Sequence, residues 1–252
     1  MKYDSKGCKL VKADKLTADV YDFTLDCPEL AAKALPGQFA QIRLPGHTLR
    51  RPISICEIGK AAGTLRFVFQ IRGQGTAELA QLQPGSELEI LAPLGNGFPV
   101  VPGKKTLLVG GGIGVPPLLG CAAELRENAV AVLGFRTGEA VILERDFQSA
   151  GAKTLIATDD GSYGFHGLVT ELAEREKFEM VFACGPAPML KAVRALAAER
   201  NVPCYLSLEE RMACGIGACL GCAVALLDEA GNQYYGHVCK DGPVFDSRRV
   251  LL

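Results

Sequence analysis

The sequence predicts a multidomain chain of the β plus α/β class. It divides into an N-terminal antiparallel barrel over residues 1–100, a parallel α/β domain over 101–208, and a small cysteine-rich unit over 209–252. Three observations carry this division. Period-2 alternation punctuated by Pro and Gly fills the first hundred residues. Strand and helix patterns then alternate, as in a parallel sheet with helices on both faces. Five of the ten cysteines fall in the last 52 residues.

In the barrel half, residues 38–44 alternate Ala40, Ile42, Leu44 against Phe39, Gln41, Arg43, and residues 65–72 set Leu65, Phe67, Phe69 and Ile71 on one face. A Pro84-Gly85-Ser86 turn precedes a strand at 87–90. Residues 92–104 hold three Pro and three Gly and mark the boundary. Beyond it, strands are expected at 106–109, 129–135, 153–158, 180–184 and 203–208, and helices at 116–128, 167–174 and 187–200. The tail after residue 208 has little room for a hydrophobic core and is expected to fold around something it binds.

Composition narrows the function. Hydrophobic residues make up 48% and the formal charge is −1, so nucleic acid and anionic membrane are not expected partners. The N-terminus, MKYDSKGCKL, lacks an apolar leader core, and the cytoplasm is the expected compartment. Residues 106–123 are uncharged, but five Gly and two Pro make them a strand, glycine turn and helix start rather than a membrane span.

Cysteine chemistry is the strongest signal. Cys214, Cys219, Cys222 and Cys239 read C-x4-C-x2-C-x16-C, the spacing of a plant-type [2Fe–2S] site. A short loop must wrap the cluster and turn N–H groups toward its sulfides, and Gly215, Gly217 and Gly221 permit the backbone angles. Structural zinc is the alternative, although it usually shows two C-x2-C-like knuckles and the pairing here is lopsided. Cys8, Cys27, Cys56, Cys121 and Cys204 are scattered and read as small buried hydrophobes.

A glycine turn, Gly110, Gly111, Gly112 and Gly114, joins a strand to a helix whose amides could meet a pyrophosphate. Val115 breaks the strict G-x-G-x-x-G register, so an ordinary turn is the alternative. Cys184-Gly185-Pro186 follows a later strand of the same sheet, and the two turns could flank one nucleotide. Asp159-Asp160-Gly161-Ser162 either lines the same edge or is simply a turn. Arg136, after the second strand, leaves NAD and NADP undecided.

Arg51-Pro52-Ile53-Ser54 and Arg72-Gly73-Gln74-Gly75-Thr76 are weak signals singly. Together with the rest they resemble the ferredoxin-reductase-like flavoproteins, in which a flavin-binding barrel precedes a nicotinamide-binding domain. Residues 208–222 and 237–245 are similar to one branch of that family, the electron-transfer subunits of two-subunit, NAD-linked dihydroorotate dehydrogenases. The resemblance covers essentially the whole chain.

It implies that Arg51, Pro52, Ile53, Ser54, Gln70, Ile71, Arg72, Gly75 and Thr76 contact FAD. It also implies that the four cysteines hold the cluster and that Gly110, Gly111, Gly112, Gly114, Cys184, Gly185 and Pro186 receive NAD. Relatives often carry Tyr in R-x-Y-S and end in an aromatic residue; here Pro52-Ile53 fills the first place and Arg248-Arg249-Val250-Leu251-Leu252 the second. The flavin's stacking partner is therefore open.

The implied role belongs to pyrimidine biosynthesis. Electrons from dihydroorotate would enter an FMN-containing catalytic subunit, cross the cluster here, reach FAD and reduce NAD, in a heterotetramer of two copies of each subunit. A flavin fits between a two-electron nicotinamide and a one-electron cluster. No catalytic side chain is expected. The competing readings are an NAD(P)H-linked diaphorase subunit of another redox complex and a zinc-stabilised interaction module.

Overall fold

The computed structural model describes residues 3–252. Six antiparallel strands close a barrel in the order β1-β2-β5-β4-β3-β6. They are β1 (Asp4–Lys15), β2 (Val20–Asp26), β3 (Phe39–Ile42), β4 (Arg51–Gly59), β5 (Thr64–Gln70) and β6 (Glu87–Leu94). Alternation dictates which side chains point inward. Leu10, Phe23, Leu25, Ile42, Ile55, Leu65, Phe67 and Ile90 meet in an interior with almost no solvent exposure. Each contributes roughly 1.5–3 kcal/mol by leaving water. Register shifts at Leu10/Lys12, Phe39/Gln41 and Ile55/Glu57 bend the strands so that the sheet can close. The expected strand at 38–44 is trimmed to four residues, and the one at 87–90 runs on to Leu94, held between β1 and β3.

The second layer is a seven-stranded sheet. Its strands are β7 (Thr106–Gly111), β8 (Ala129–Phe135), β9 (Lys153–Thr158), β10 (Phe165–His166), β11 (Met180–Cys184), β12 (Cys204–Ser207) and β15 (Val244–Asp246), in the order β10-β9-β8-β7-β11-β12-β15. All are parallel except β15. The chain winds outward from β7 through β8 and β9, then returns to β11 on the other side. That reversal opens the crevice where α/β sheets take ligands. The helix expected over 116–128 is interrupted. A 3-10 turn at Pro116–Leu118, a helix at Leu119–Leu125 and a second 3-10 turn at Arg126–Asn128 replace it. Pro116 and Pro117 lack N–H donors, and Arg126 takes a left-handed φ of 53°.

The cysteine-rich segment corrects an expectation. A hairpin of β13 (Ala223–Leu227) and β14 (Gln233–His237) places Cys222, Leu226, Val238, Cys239, Phe245 and Val250 in one core with Val181 and Leu206 of the sheet and Phe39 and Leu94 of the barrel. The tail is thus built into the shared interior, and β15 completes the sheet beside β12.

Two further ties hold the parts together. Arg66 of β5 pairs with buried Asp22 and reaches Asp146 of the α/β half. Asn96, in the Pro/Gly-rich connection, donates to the carbonyls of Asp241 (3.1 Å) and Val244 (3.0 Å) and accepts from the Val244 N–H (3.0 Å). Among the described residues no helix is long and apolar enough to cross a membrane.

Candidate functional site: a cavity where three segments meet

A cavity of about 930 Å³ lies where barrel, sheet and cysteine segment converge, at the upper end of volumes that hold cofactors. Its walls include Arg50, Arg51 and Pro52 from the barrel, Gly185 and Pro186 from the turn after β11, and residues 208–212 leading toward Cys214.

On the barrel side, Arg51 is held in place by its neighbours. Its guanidinium donates to the Leu49 carbonyl (2.6 Å) and to His47 Nδ1 (2.8 Å), and His47 Nε2 meets Glu78 Oε2 at 2.7 Å. With Nδ1 accepting, the ring proton sits on Nε2 and is donated to Glu78. That bond, with a second from Gln74, holds the Glu78 carboxyl below its ordinary range. Gly75 brings the two weak barrel motifs into contact: any Cβ there would collide with the Arg51 guanidinium. The Thr76 hydroxyl accepts from the N–H groups of Arg72 (2.8 Å) and Gly73 (3.2 Å) and donates to the Gly73 carbonyl (3.0 Å). It is fully committed to its own turn, so Thr76 shapes the turn rather than offering a free hydroxyl.

Gln70 is tied to Asp19 at 2.6 Å, Ile71 packs on the barrel core, and Ser54 lies across from Phe39 in β3. Ile53 also packs on that core. Arg50 is anchored by Glu89, yet its Nη1 is buried with no hydrogen-bond partner among the described residues. A buried cationic donor beside a cavity, with a glycine cradle under a second arginine, fits an anionic ligand such as a flavin dinucleotide.

On the sheet side, Gly110 is in register with Cys184. A Cβ at Gly111 would lie 2.8 Å from Met189 Sδ and 3.0 Å from Pro186 Cδ, and one at Gly114 would strike the Cys184–Gly185 backbone. The two glycine turns therefore touch, and contact between them is the first reason for their glycines. Gly112, at φ +54° with open space around it, is free to face a ligand. Burial pushes the Cys184 thiol up to about 12, against a bond with Ser207, so it stays protonated. Asp160 accepts from the Ser162 N–H (3.0 Å) and hydroxyl (2.6 Å), which makes residues 159–162 a self-satisfied turn.

In the cysteine segment the thiols fall into two pairs. Cys222 and Cys239 lie 3.3 Å apart and are almost wholly buried; Cys214 and Cys219 lie nearer the surface. The N–H groups of Ala218 (3.3 Å) and Ile216 (3.5 Å) point at Cys214 Sγ, and that of Gly217 (3.2 Å) at Cys239 Sγ. Gly215 and Gly217, at φ +73° and +80°, make this loop possible.

Partial burial opposes ionisation of Cys214, but the amides of Ile216, Cys219 and Ala218 outweigh it and bring the thiol down to about 6. Cys239 is pushed up to about 12 by burial and by Cys222. Four thiols brought together by one segment, with amides aimed at sulfur, fit a two-iron group. Among the described residues no three His, Cys, Asp or Glu side chains are arranged to hold a single ion.

Sequence reasoning missed the cavity wall at 208–212, the Asn96 clasp, and Gln41. The outward-facing Gln41 of β3 is wholly buried, and neither of its amide atoms has a partner among the described residues. A polar residue in an alternating strand was visible, but what covers it was not.

The barrel, the reversal crevice and the four-thiol segment define an oxidoreductase of the ferredoxin-reductase type with an added iron–sulfur domain. Residues 7–98 match the family model described as the oxidoreductase FAD-binding domain, and 209–251 that of the iron–sulfur cluster binding domain of dihydroorotate dehydrogenase B. A dihydroorotate dehydrogenase B (NAD(+)) electron transfer subunit from Geobacillus thermodenitrificans is 45% identical, with 92% of this chain and 93% of that protein covered. The one from Streptococcus mutans is 43% identical over 89% and 90%. The chain belongs to this family, the electron transfer subunits of dihydroorotate dehydrogenase B.

Among solved structures, an NADH-dependent reduced ferredoxin-NADP oxidoreductase superposes with a TM-score of 0.84 at 32% identity, over 96% of this chain and 89% of that one. The cytochrome b5 reductase domain of Ulva prolifera nitrate reductase shares the fold alone, at 19% identity and a TM-score of 0.60, over 75% of this chain and 89% of that one.

Proposed function

We propose that this chain carries electrons between a dihydroorotate-oxidising catalytic subunit and NAD, with FAD on the barrel, NAD at the glycine turns and a [2Fe–2S] group on the four cysteines. One observation carries the reading: a single cavity is bounded by Arg51, by Gly185-Pro186 and by the residues that lead into Cys214. When bound, flavin exchanges hydride with nicotinamide and single electrons with an iron–sulfur group.

The chain's own work is to bind and orient. Arg50 and Arg51 would neutralise phosphate charge, Gly75 lets the backbone approach, and the paired glycine turns form the nucleotide crevice. Pro52, Ile53, Ser54, Gln70, Ile71, Arg72 and Thr76 would shape the flavin side. The division into 1–100, 101–208 and 209–252 is read as one cofactor per segment. The partner is read as an FMN-containing catalytic subunit, joined two to two, in the cytoplasm. Relatives at 45% identity named for dihydroorotate dehydrogenase favour this partner over that of the 32%-identical oxidoreductase.

The test is anaerobic purification with quantified flavin, iron and sulfide, followed by assay with and without the catalytic subunit. About two iron and two sulfide per chain are expected, with dihydroorotate-dependent NAD reduction only when the partner is present. Dihydroorotate oxidation by the chain alone would overturn the proposal.

A further inference from the structure

Gln41 lies in β3, opposite Pro52 of β4 and Leu91 of β6. Its side chain points away from the barrel interior, onto the cysteine segment. Phe39, on the same outward face, is apolar and joins the shared core, so an apolar residue would suit this position. Instead it holds an amide that is wholly buried and has no hydrogen-bond partner among the described residues. Burying an amide without a partner costs stability.

What the amide does touch is Gly215. A Cβ there would fall 2.7 Å from Gln41 Cγ and 2.8 Å from Nε2. Gly215 follows Cys214, whose sulfur already faces the N–H groups of Ile216 and Ala218. On the other flank, Pro52 lines the cavity beside Arg51. The amide thus stands between the cavity and the outer thiol pair.

We infer that Gln41 donates its Nε2–H to sulfur of the iron–sulfur group held by Cys214, reaching it from the barrel. This rests on the reading of the four cysteines given above. Hydrogen bonds to cluster sulfur are one of the determinants of reduction potential. A donor supplied by the barrel favours the reduced, more negative state of the group and so raises its potential.

The experiment uses the full chain in complex with its catalytic subunit, comparing wild type with Gln41→Met, which keeps length and removes the donor. Flavin, iron and sulfide contents are expected to match. At a fixed solution potential the reduced-to-oxidised ratio of the cluster, read by electron paramagnetic resonance, is expected to fall about tenfold, or about 59 mV for one electron. An exchangeable-proton coupling to the reduced cluster is expected to vanish. A fully loaded variant with unchanged cluster potential and coupling overturns the inference, as does a change confined to the flavin. Should the variant misfold, wild type labelled with nitrogen-15 in its glutamine side chains decides: no nitrogen coupling at the reduced cluster refutes it. A wild-type chain without iron and sulfide defeats the functional reading instead, so the two failures are distinguishable.

Discussion

The two cofactor-facing regions of this chain are built on opposite plans. Around Arg51, polar groups other than the buried Nη1 of Arg50 bond within the protein: Thr76 completes its hydrogen bonds within its own turn, and Glu78 orients His47, which holds Arg51. Around Cys214, residues 209–222 form neither helix nor strand, and the polar atoms face sulfur. Cys222 and Cys239 are rooted in the core, whereas Cys214 and Cys219 sit on the half-exposed side. A region whose groups bond to one another keeps its shape without a ligand. One whose amides face sulfur is laid out for a group that the sulfur holds.

The strongest challenge to that contrast is Cys219→Ser. It should abolish iron and sulfide and bring partner-linked electron transfer to background, while FAD stays at wild-type occupancy. Metal analysis and the flavin spectrum of one sample check this, and parallel loss of FAD would show that the two regions form as one unit.

Next is Gly75→Ala, where the added methyl displaces Arg51. FAD affinity should fall about tenfold, or about 1.4 kcal/mol. Stability should hold or rise, since Gly75 lies in the short helix Gln74–Leu79 and Ala is favoured over Gly in a helix by roughly 0.5–1 kcal/mol. Flavin titration and thermal melting separate the two, and a fall in melting temperature matching the loss of affinity would break the contrast from the barrel side.

The smallest effect is in acid. Bonds from Arg50, Arg43 and Ser5 hold the Glu89 carboxyl down to about 2, from an ordinary 4.5. Its folded value is depressed, so its stabilisation is present above about 4.5 and is lost as pH falls toward 2. Glu89→Gln should flatten the acid limb of denaturation midpoints measured at several pH values. Solvent screening keeps the difference modest, as Glu89 is 39% exposed. Superimposable acid limbs would show that the Arg50 anchor does not depend on this charge.

Much of this was readable from the chain. Strands β8, β9 and β11 fall where apolar runs and turn residues put them, and two of the four spaced cysteines, Cys222 and Cys239, meet at 3.3 Å. Local pattern ends where partners are distant. Leu226, Val238, Phe245 and Val250 show no common period, because each packs on elements far away in sequence, and so the tail looked coreless. Asn96 stood in a Pro/Gly stretch that reads as a linker, yet its amide closes onto residues 241–244. The helix over 116–128 had the right spacing, but Pro116-Pro117 and the left-handed Arg126 divide it.

Strand β15 also imposes an order of assembly. It covers the free edge of β12, yet it lies beyond the fourth cysteine in the chain. As the polypeptide emerges during synthesis, β12 has no neighbour on that side until residue 246 is available. An unpaired edge of this kind is a template for joining strands of other molecules. Closing it brings residues 241–244 against Asn96. Sealing the sheet against self-association and clasping the tail to the Asn96 connection are therefore one event in the life of a newly made chain.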